Sequence, residues 1–512
     1  MENSVEQLIE RYHKALQRKQ SWESHWRECY EYALPQRENV SSPYAGGYEG
    51  SKQNLHLYDG TAADAVDQLA SSLLAELTPP WAKWFGLKAG PELTAEESQQ
   101  ISATLEKTAD ILLQNFEHSN FAVEIHQCYL DLVTAGTASL MFEEAPLGEA
   151  SAFRFYAVPL REIALEESAD GKIDTTYRCS EVGLAEIRLR FPEAELPADL
   201  LQRFENDSGL KLSLLEAVVP NYSGVGALGY RYTAVLFDEN VSLSDHLVLR
   251  EGIFTTSPFI NFRWLKAPGE VYGRSPVMKA LPDIKTANKV VELILKNASI
   301  SVTGIWQADD DGILNPANIK LVPGAIIPKA VGSKGLTPLE APGKFDISQL
   351  VLEDLRSRIN HALLADRLGQ INVPNMTATE VLERSAEMAR LLGASFGRLQ
   401  TELLTPLLKR AFQILRRRGD VANFDLDGKT VDLQYKSPLA MVQGRRDVNN
   451  ISDWLAMVGS MGIAGQSAVN LFETAKYLGK TLNVPACLIN ETAPDLGALA
   501  GEGTDGLLPN QL

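Results

Sequence analysis

The chain has 512 residues, 45% of them hydrophobic, enough apolar material for about three ordinary domains. Its formal net charge is −18, which argues against non-specific adhesion to nucleic acid or to an anionic membrane, since both need a basic surface. No run of about 18 apolar residues occurs, so no membrane-spanning helix is expected. The stretch MENSVEQLIERYHK has no apolar h-region and does not read as a secretory signal. Cys29, Cys128, Cys179 and Cys487 show no C-x-x-C spacing and read as reduced, buried thiols.

In chain order, Val5, Leu8, Ile9, Tyr12 and Leu16 recur at helical spacing, and the pattern continues to Pro35. VSSPYAGGYEGSKQN reads as a loop. After LYDGT a second helix, with Ala62, Val66, Leu69, Leu73, Leu74 and Leu77 on one side, runs to Thr78-Pro79-Pro80. Two more helices are expected at Thr94–Ser119 and Phe121–Ala135. From Ser139 to Tyr272 the period changes to short β-branched and aromatic runs, FRFYAVPL, KIDTTYR, LSLLEAVVPN, YRYTAVLFDE, HLVLREGIF and FINFRW, which read as strands. SEVGLAEIRLRFP looks like an intervening helix. The expectation is an α+β unit, mainly α, with helices first and a mainly antiparallel sheet after.

Ser275 before Pro276 marks the start of a helix running to about Ser301, with Pro282 expected to kink or restart it. Its later face carries Ile284, Ala287, Val291, Ile294, Leu295 and Ala298. A strand-and-turn insertion spans Val302 to Lys344. A helix over Ile347–Leu368 follows, with Ile347, Val351, Leu355, Ile359 and Leu363 as its stripe. The stretch LGQINVPN, with Gly369 and Pro374, has no helical period. NMTATEVLER after it holds a capping box, Thr377 with Glu380, and a hydrophobic staple, Met376 with Val381. A long helix then runs from Ala378 to about Arg418 and should kink at Pro406, whose ring clashes with the Glu402 carbonyl. DLDGKTVDLQY reads as a hairpin, and more helices follow from Arg445 to about Leu478. The Gly-rich, acidic end from Ala493 is expected to be largely disordered.

Few motifs carry chemistry. GVGALG, Gly224 to Gly229, matches G-x-G-x-x-G, but a dinucleotide site needs a helix opening on it, and a strand-like run follows. Asp309, Asp310 and Asp311 before Gly312 fail the spacing of a calcium loop and read as a solvated turn. Glu143-Glu144 and Glu166-Glu167 read as solvated surface charges. No catalytic, metal or cofactor constellation is found. Lys285, Lys289 and Lys296 share one broad side of their helix. They form either a solvated face or a contact with a polyanion or neighbouring subunit. Arg416, Arg417 and Arg418 either cap their helix or meet acidic groups on a neighbour.

Three segments carry a resemblance: LYDGTAADAVDQLASSLLAELTPPWAKWFGL, PFINFRWLKAPGEVYGRSPVMKALPDIKTANKVVELILKNAS and NMTATEVLER. In order and spacing they resemble the portal, or head-to-tail connector, proteins of short-tailed, podovirus-type bacteriophages, from about Val5 to about Leu478. The resemblance implies a non-enzymatic ring, a dodecamer, around a channel for double-stranded DNA. It implies a wing (1–274), a stem helix (275–301), a clip (302–345), a second stem helix (346–368) and a tunnel loop (369–377). A return through the wing (378–436), a crown (437–492) and an acidic tail (493–512) complete it. Gln370, Asn372, Asn375, Lys285, Lys289 and Lys296 are the implied DNA-facing residues, with Met376, Thr377, Glu380 and Val381 as loop anchor. Asp309, Asp310, Asp311, Lys329 and Lys334 are the implied clip contacts. The implied partners are the terminase large subunit, tail adaptor and nozzle proteins, major capsid and scaffolding proteins, and internal core proteins. Location in the virion, with assembly in the host cytoplasm, goes with this. An acidic lumen with few lysines fits DNA that must slide, because each neutralised phosphate raises affinity. The alternatives are a nucleotide-dependent enzyme using residues 224–229, or another virion structural or adaptor protein.

Overall fold

The structure is a computed structural model that describes residues 5–37, 57–206, 209–221, 229–237, 247–303, 306–308, 336–338, 345–368, 393, 395–435, 438–460, 469–481 and 484. Four helices open the fold: α1 (Val5–Ala33), α2 (Thr61–Leu77), α3 (Ala95–Glu117) and α4 (Phe121–Ala135). Of the predicted stripe α2 buries Ala62, Val66, Leu69, Leu73 and Leu77, and Leu74 is half-buried against the core. α3 starts on a capping box the sequence reading passed over, in which Thr94 Oγ1 accepts from Glu97 N and Glu97 Oε2 accepts from Thr94 N. α4 ends at Gly136, whose φ of 80° is the left-handed geometry that closes helices on glycine.

Two antiparallel sheets follow. β2 (Thr137–Glu144) lies between β3 (Phe153–Val158) and β9 (Phe259–Arg263). The larger sheet has the order β4 (Ile163–Glu167), β5 (Ile173–Val182), β6 (Leu212–Asn221), β7 (Gly229–Phe237), β8 (Leu247–Phe254). Short helices α5 (Leu184–Arg190) and α6 (Ala198–Asn206) join β5 to β6. The larger sheet's outer face is closed by the first half of α1, where Leu8, Ile9 and Tyr12 pack with Tyr177, Cys179 and Leu215. The main core runs between α2, α3, α4 and the smaller sheet. Its aromatic centre includes Trp84, Phe116, Phe121, Phe142, Phe153 and Phe155, with Phe142 and Phe155 ring centroids 4.3 Å apart.

One pairing contradicts the sequence reading. β12 (Val431–Tyr435), expected to be half of a local hairpin, instead pairs with β1 (Phe85–Ala89), from Phe85 opposite Tyr435 to Ala89 opposite Val431. The β1 stretch had no assignment, because a strand completed by a distant partner leaves no local turn signal.

Helix α7 (Pro276–Thr303) continues through Pro282 as one element, so the helix does not restart there. Ser275 Oγ caps it by accepting from Met278 N at 2.9 Å. Strands β10 (Trp306–Ala308) and β11 (Leu336–Pro338) pair antiparallel inside the expected insertion. α8 (Phe345–Ala362) stops earlier than expected, at a turn where Leu364 has a φ of 59°, before α9 (Ala365–Leu368). Its buried stripe is Leu352, Leu355 and Ile359, Leu363 is buried in the turn that follows, and Val351 lies outside the stripe.

The helix changes form just before Pro406. Residues Gln400–Leu404 form a π-helical turn, in which Thr405 N donates to Gln400 O, before α10 (Thr405–Arg418). Widening the turn accommodates a ring that an α-helical turn would press against the Glu402 carbonyl. α11 (Pro438–Ser460) and α12 (Leu471–Thr481) end the described chain.

Candidate nucleic-acid interface

α7 and α8 lie side by side, and Asp283 near the start of α7 meets Arg358 near the end of α8 at 3.6 Å. They therefore run antiparallel. Their common base is tied to the loop before α2. Asn288 Oδ1 accepts from the backbone N–H groups of Tyr58 (2.6 Å) and Asp59 (3.1 Å). Asp59, buried, accepts from Arg356 Nε at 2.9 Å and Nη2 at 2.7 Å, and from Thr61 N. Burial pushes the Asp59 carboxyl up, but the bonds from Thr61 and Arg356 outweigh it and hold it below the usual carboxylate range. Asp59 of LYDGT thus joins three elements that are far apart in sequence.

The start of α7 is fixed as closely. Gly136 and Gly273 approach back to back, and a Cβ on either would run into the other's carbonyl oxygen. Gly273 N donates to Thr137 Oγ1, and Ser275 Oγ donates to Thr134 O. Tyr272, buried, stands edge-on to Trp26 at 5.0 Å, and its hydroxyl accepts from Leu165 N. Arg263 is fully buried. It meets Glu402 of the π-helical turn through Nη2 (2.6 Å) and Nε, while Arg263 N also donates to Glu402. Its remaining donors go to Val271 O and Gly171 O. The segment from FINFRW to VYGRSP, read only as a strand and a helix start, is this junction. Arg263, Glu402 and Asp59 escaped the sequence reading because nothing local marks a charge as buried.

Beyond Asn288, α7 emerges. Lys289 Nζ and Lys296 Nζ both donate to Glu292, at 2.9 Å and 2.5 Å. Those two bonds pull the Glu292 carboxyl down to about 2. Lys285 turns toward α1, where it pairs with Glu28 at 2.7 Å and lies over the Tyr32 ring. The three lysines therefore divide into one bound to α1 and two sharing a carboxylate. Leu293 and Leu295 are about half exposed, so Leu295 departs from the predicted buried face.

Other charges expected at the surface are paired within the chain. Arg417 and Arg418 both bond Glu144, and Arg416 pairs with Asp425. Glu166 takes Arg11 at 2.6 Å, and Glu167 takes Lys266. Gln370, Asn372, Asn375, Met376, Thr377, Glu380 and Val381 lie outside the described residues, as do Asp309, Asp310, Asp311, Lys329 and Lys334. The G-x-G-x-x-G stretch joins β6 to β7, with Asn221 opposite Gly229 in an antiparallel pair. Among the described residues a strand follows it, not the helix whose N-terminus a pyrophosphate site needs. Among the described residues no group of three or more His, Cys, Asp or Glu side chains could hold a metal, and no helix is long and apolar enough to cross a membrane. Cys29, Cys128 and Cys179 are buried, and burial pushes the Cys29 thiol up to about 12.

The family described as "Bacteriophage head to tail connecting protein" matches residues 5–489. The chain belongs to that family. It is similar to the probable portal protein of Bordetella phage BPP-1, 25% identical over 496 residues, which are 92% of this chain and 85% of the relative. It is also similar to the portal protein of Salmonella phage epsilon15, 25% identical over 480 residues, 90% of this chain and 84% of that one. Among solved structures, a chain of the virion of a native gene transfer agent particle aligns over 79% of this chain and 86% of its own length. The identity there is 13% and the TM-score 0.35. As a connector, the chain serves at the portal vertex, the passage by which DNA enters the head and leaves it.

Proposed function

We propose that copies of the chain close into a ring, a dodecamer, in which α7 and α8 of every copy wall the DNA passage. One observation carries this reading: two antiparallel helices are locked at their base by Asp59, Arg263 and Gly273, while residues 289–299 of α7 include no buried residue and carry Lys289 and Lys296 exposed. A wall against which DNA slides needs a fixed root and a surface that does not hold phosphate tightly. In this reading residues 1–274 and 378–436 form the wing, 302–345 the clip, 369–377 the tunnel loop and 437–492 the crown. The clip meets the terminase large subunit and later tail adaptor and nozzle proteins. The wing and crown meet capsid, scaffolding and internal core proteins. The terminase supplies the energy, and this chain does no catalysis. It nucleates head assembly in the host cytoplasm and remains at the portal vertex of the virion.

End-on electron micrographs of the purified protein test the ring. The expected result is closed rings with a central passage. A chain that stays monomeric under every assembly condition would contradict it. Deleting residues 369–374 should leave rings intact but impair packaging or DNA retention, and normal packaging and retention would remove the loop from the mechanism.

A further inference from the structure

Glu292 sits one turn from Lys289 on one side and Lys296 on the other, and both ammonium groups close on its two oxygens. The lysine side chains are 62% exposed and the glutamate 16%, so the carboxylate lies beneath its two cations. The trio presents a single net positive charge where two free lysines would present two. Both hydrogen bonds favour the charged form of its carboxyl group.

We propose that Glu292 is a positioning residue that competes with DNA phosphate for Lys289 and Lys296, so that each subunit touches passing DNA without gripping it. The proposal rests on the reading that this side of α7 faces the passage. A free lysine that neutralises a phosphate releases condensed counterions, which makes binding strong and steeply salt-dependent. A lysine already held by a carboxylate must exchange one anion for another, and the net release is smaller. An exposed pair of this kind is weak, so phosphate can displace it as DNA moves. In a ring every copy repeats the arrangement, and an intrinsic affinity too strong at one copy would be multiplied around the passage.

The test uses assembled particles, linear double-stranded DNA of mixed sequence, and a salt titration. Glu292→Gln should bind at least about fivefold more tightly near 0.1 M salt, with the slope of log Kd on log salt steeper by about one to two. Glu292→Asp, which keeps the charge, should bind like the original protein. The double variant Lys289→Gln/Lys296→Gln should bind more weakly with a shallower slope. Particle melting temperature should stay the same in all of them. Unchanged or weaker binding by Glu292→Gln, while the double variant loses affinity, would overturn the role of Glu292 and leave the passage reading standing. Unchanged binding by the double variant would overturn both. A lowered melting temperature with no change in slope would make Glu292 a structural residue only.

Discussion

Between Pro276 and Asn288, α7 is enclosed: Val277, Ala280, Leu281, Ile284, Ala287 and Asn288 are all buried. Between Lys289 and Ser299 of the same helix no residue is buried. The first half is held by contacts with α1, α4 and the loop before α2. The second half depends on its own hydrogen bonds, its neighbour α8 and the partly buried Val290, Val291 and Ile294. Helices with so little tertiary support are marginal alone, so the outer half draws its stability from the inner one. The contrast teaches where a connector can place a surface that meets moving DNA. It belongs on an element whose root is over-determined and whose working face carries little of the fold's stability.

The largest test of that contrast is at the root. Arg263→Ala would strip Glu402 of its fully buried partner, leaving it only Arg398 at 3.1 Å, and would leave the carbonyls of Val271 and Gly171 without their guanidinium donor. It should cost about 3–5 kcal/mol, read as a shift of the denaturant midpoint. A loss under about 1 kcal/mol would mean the junction does not hold the base of α7.

The second prediction uses pH. Lys19 is buried on α1 and donates to Arg161 O at 2.6 Å. Burial pushes it from 10.5 down to about 8, against the weaker pull of Glu23. The folded chain therefore gives up this proton more readily than the unfolded chain. Below about pH 8 the buried charge weighs against folding, and between about pH 8 and 10.5 its removal raises stability by about 3 kcal/mol. Lys19→Met should abolish that rise, measured as the difference in unfolding free energy between variant and original protein across the window. A difference that does not change with pH would contradict it.

Gly273→Ala comes third, at about 1–3 kcal/mol, because its Cβ would meet the Gly136 carbonyl and force the chain apart where α7 begins. The smallest effect belongs to the outer half. Leu293→Ala should change the stability of the unassembled chain by less than about 0.5 kcal/mol. A cost of several kcal/mol there would erase the distinction between the halves.

Much of this architecture was legible in the sequence. The α4 boundaries, the α2 stripe and the Ser275 cap follow from spacing and local chemistry, which act within a few residues. The junction was not legible. Arg263 and Glu402 are 139 residues apart, and Asp59 and Arg356 are 297 apart. No periodicity records such pairs, and each residue alone reads as surface charge. Pro406 was read correctly as a disturbance, which takes the form of the π-helical turn before it. The lysines of α7 were seen as a stripe, while Glu292, at the right spacing to hold two of them, was passed over. An i,i+3 and i,i+4 count around each lysine would have found it.

The central claim concerns which way the outer half of α7 faces. A side-chain-resolution electron microscopy map of the assembled particle tests it most directly. The account predicts α7 lining the central passage in every copy, with Lys289, Glu292 and Lys296 toward the axis and the Arg263–Glu402 junction set back from it. A ring with these residues on its outer rim, or packed out of reach of the passage, would contradict it.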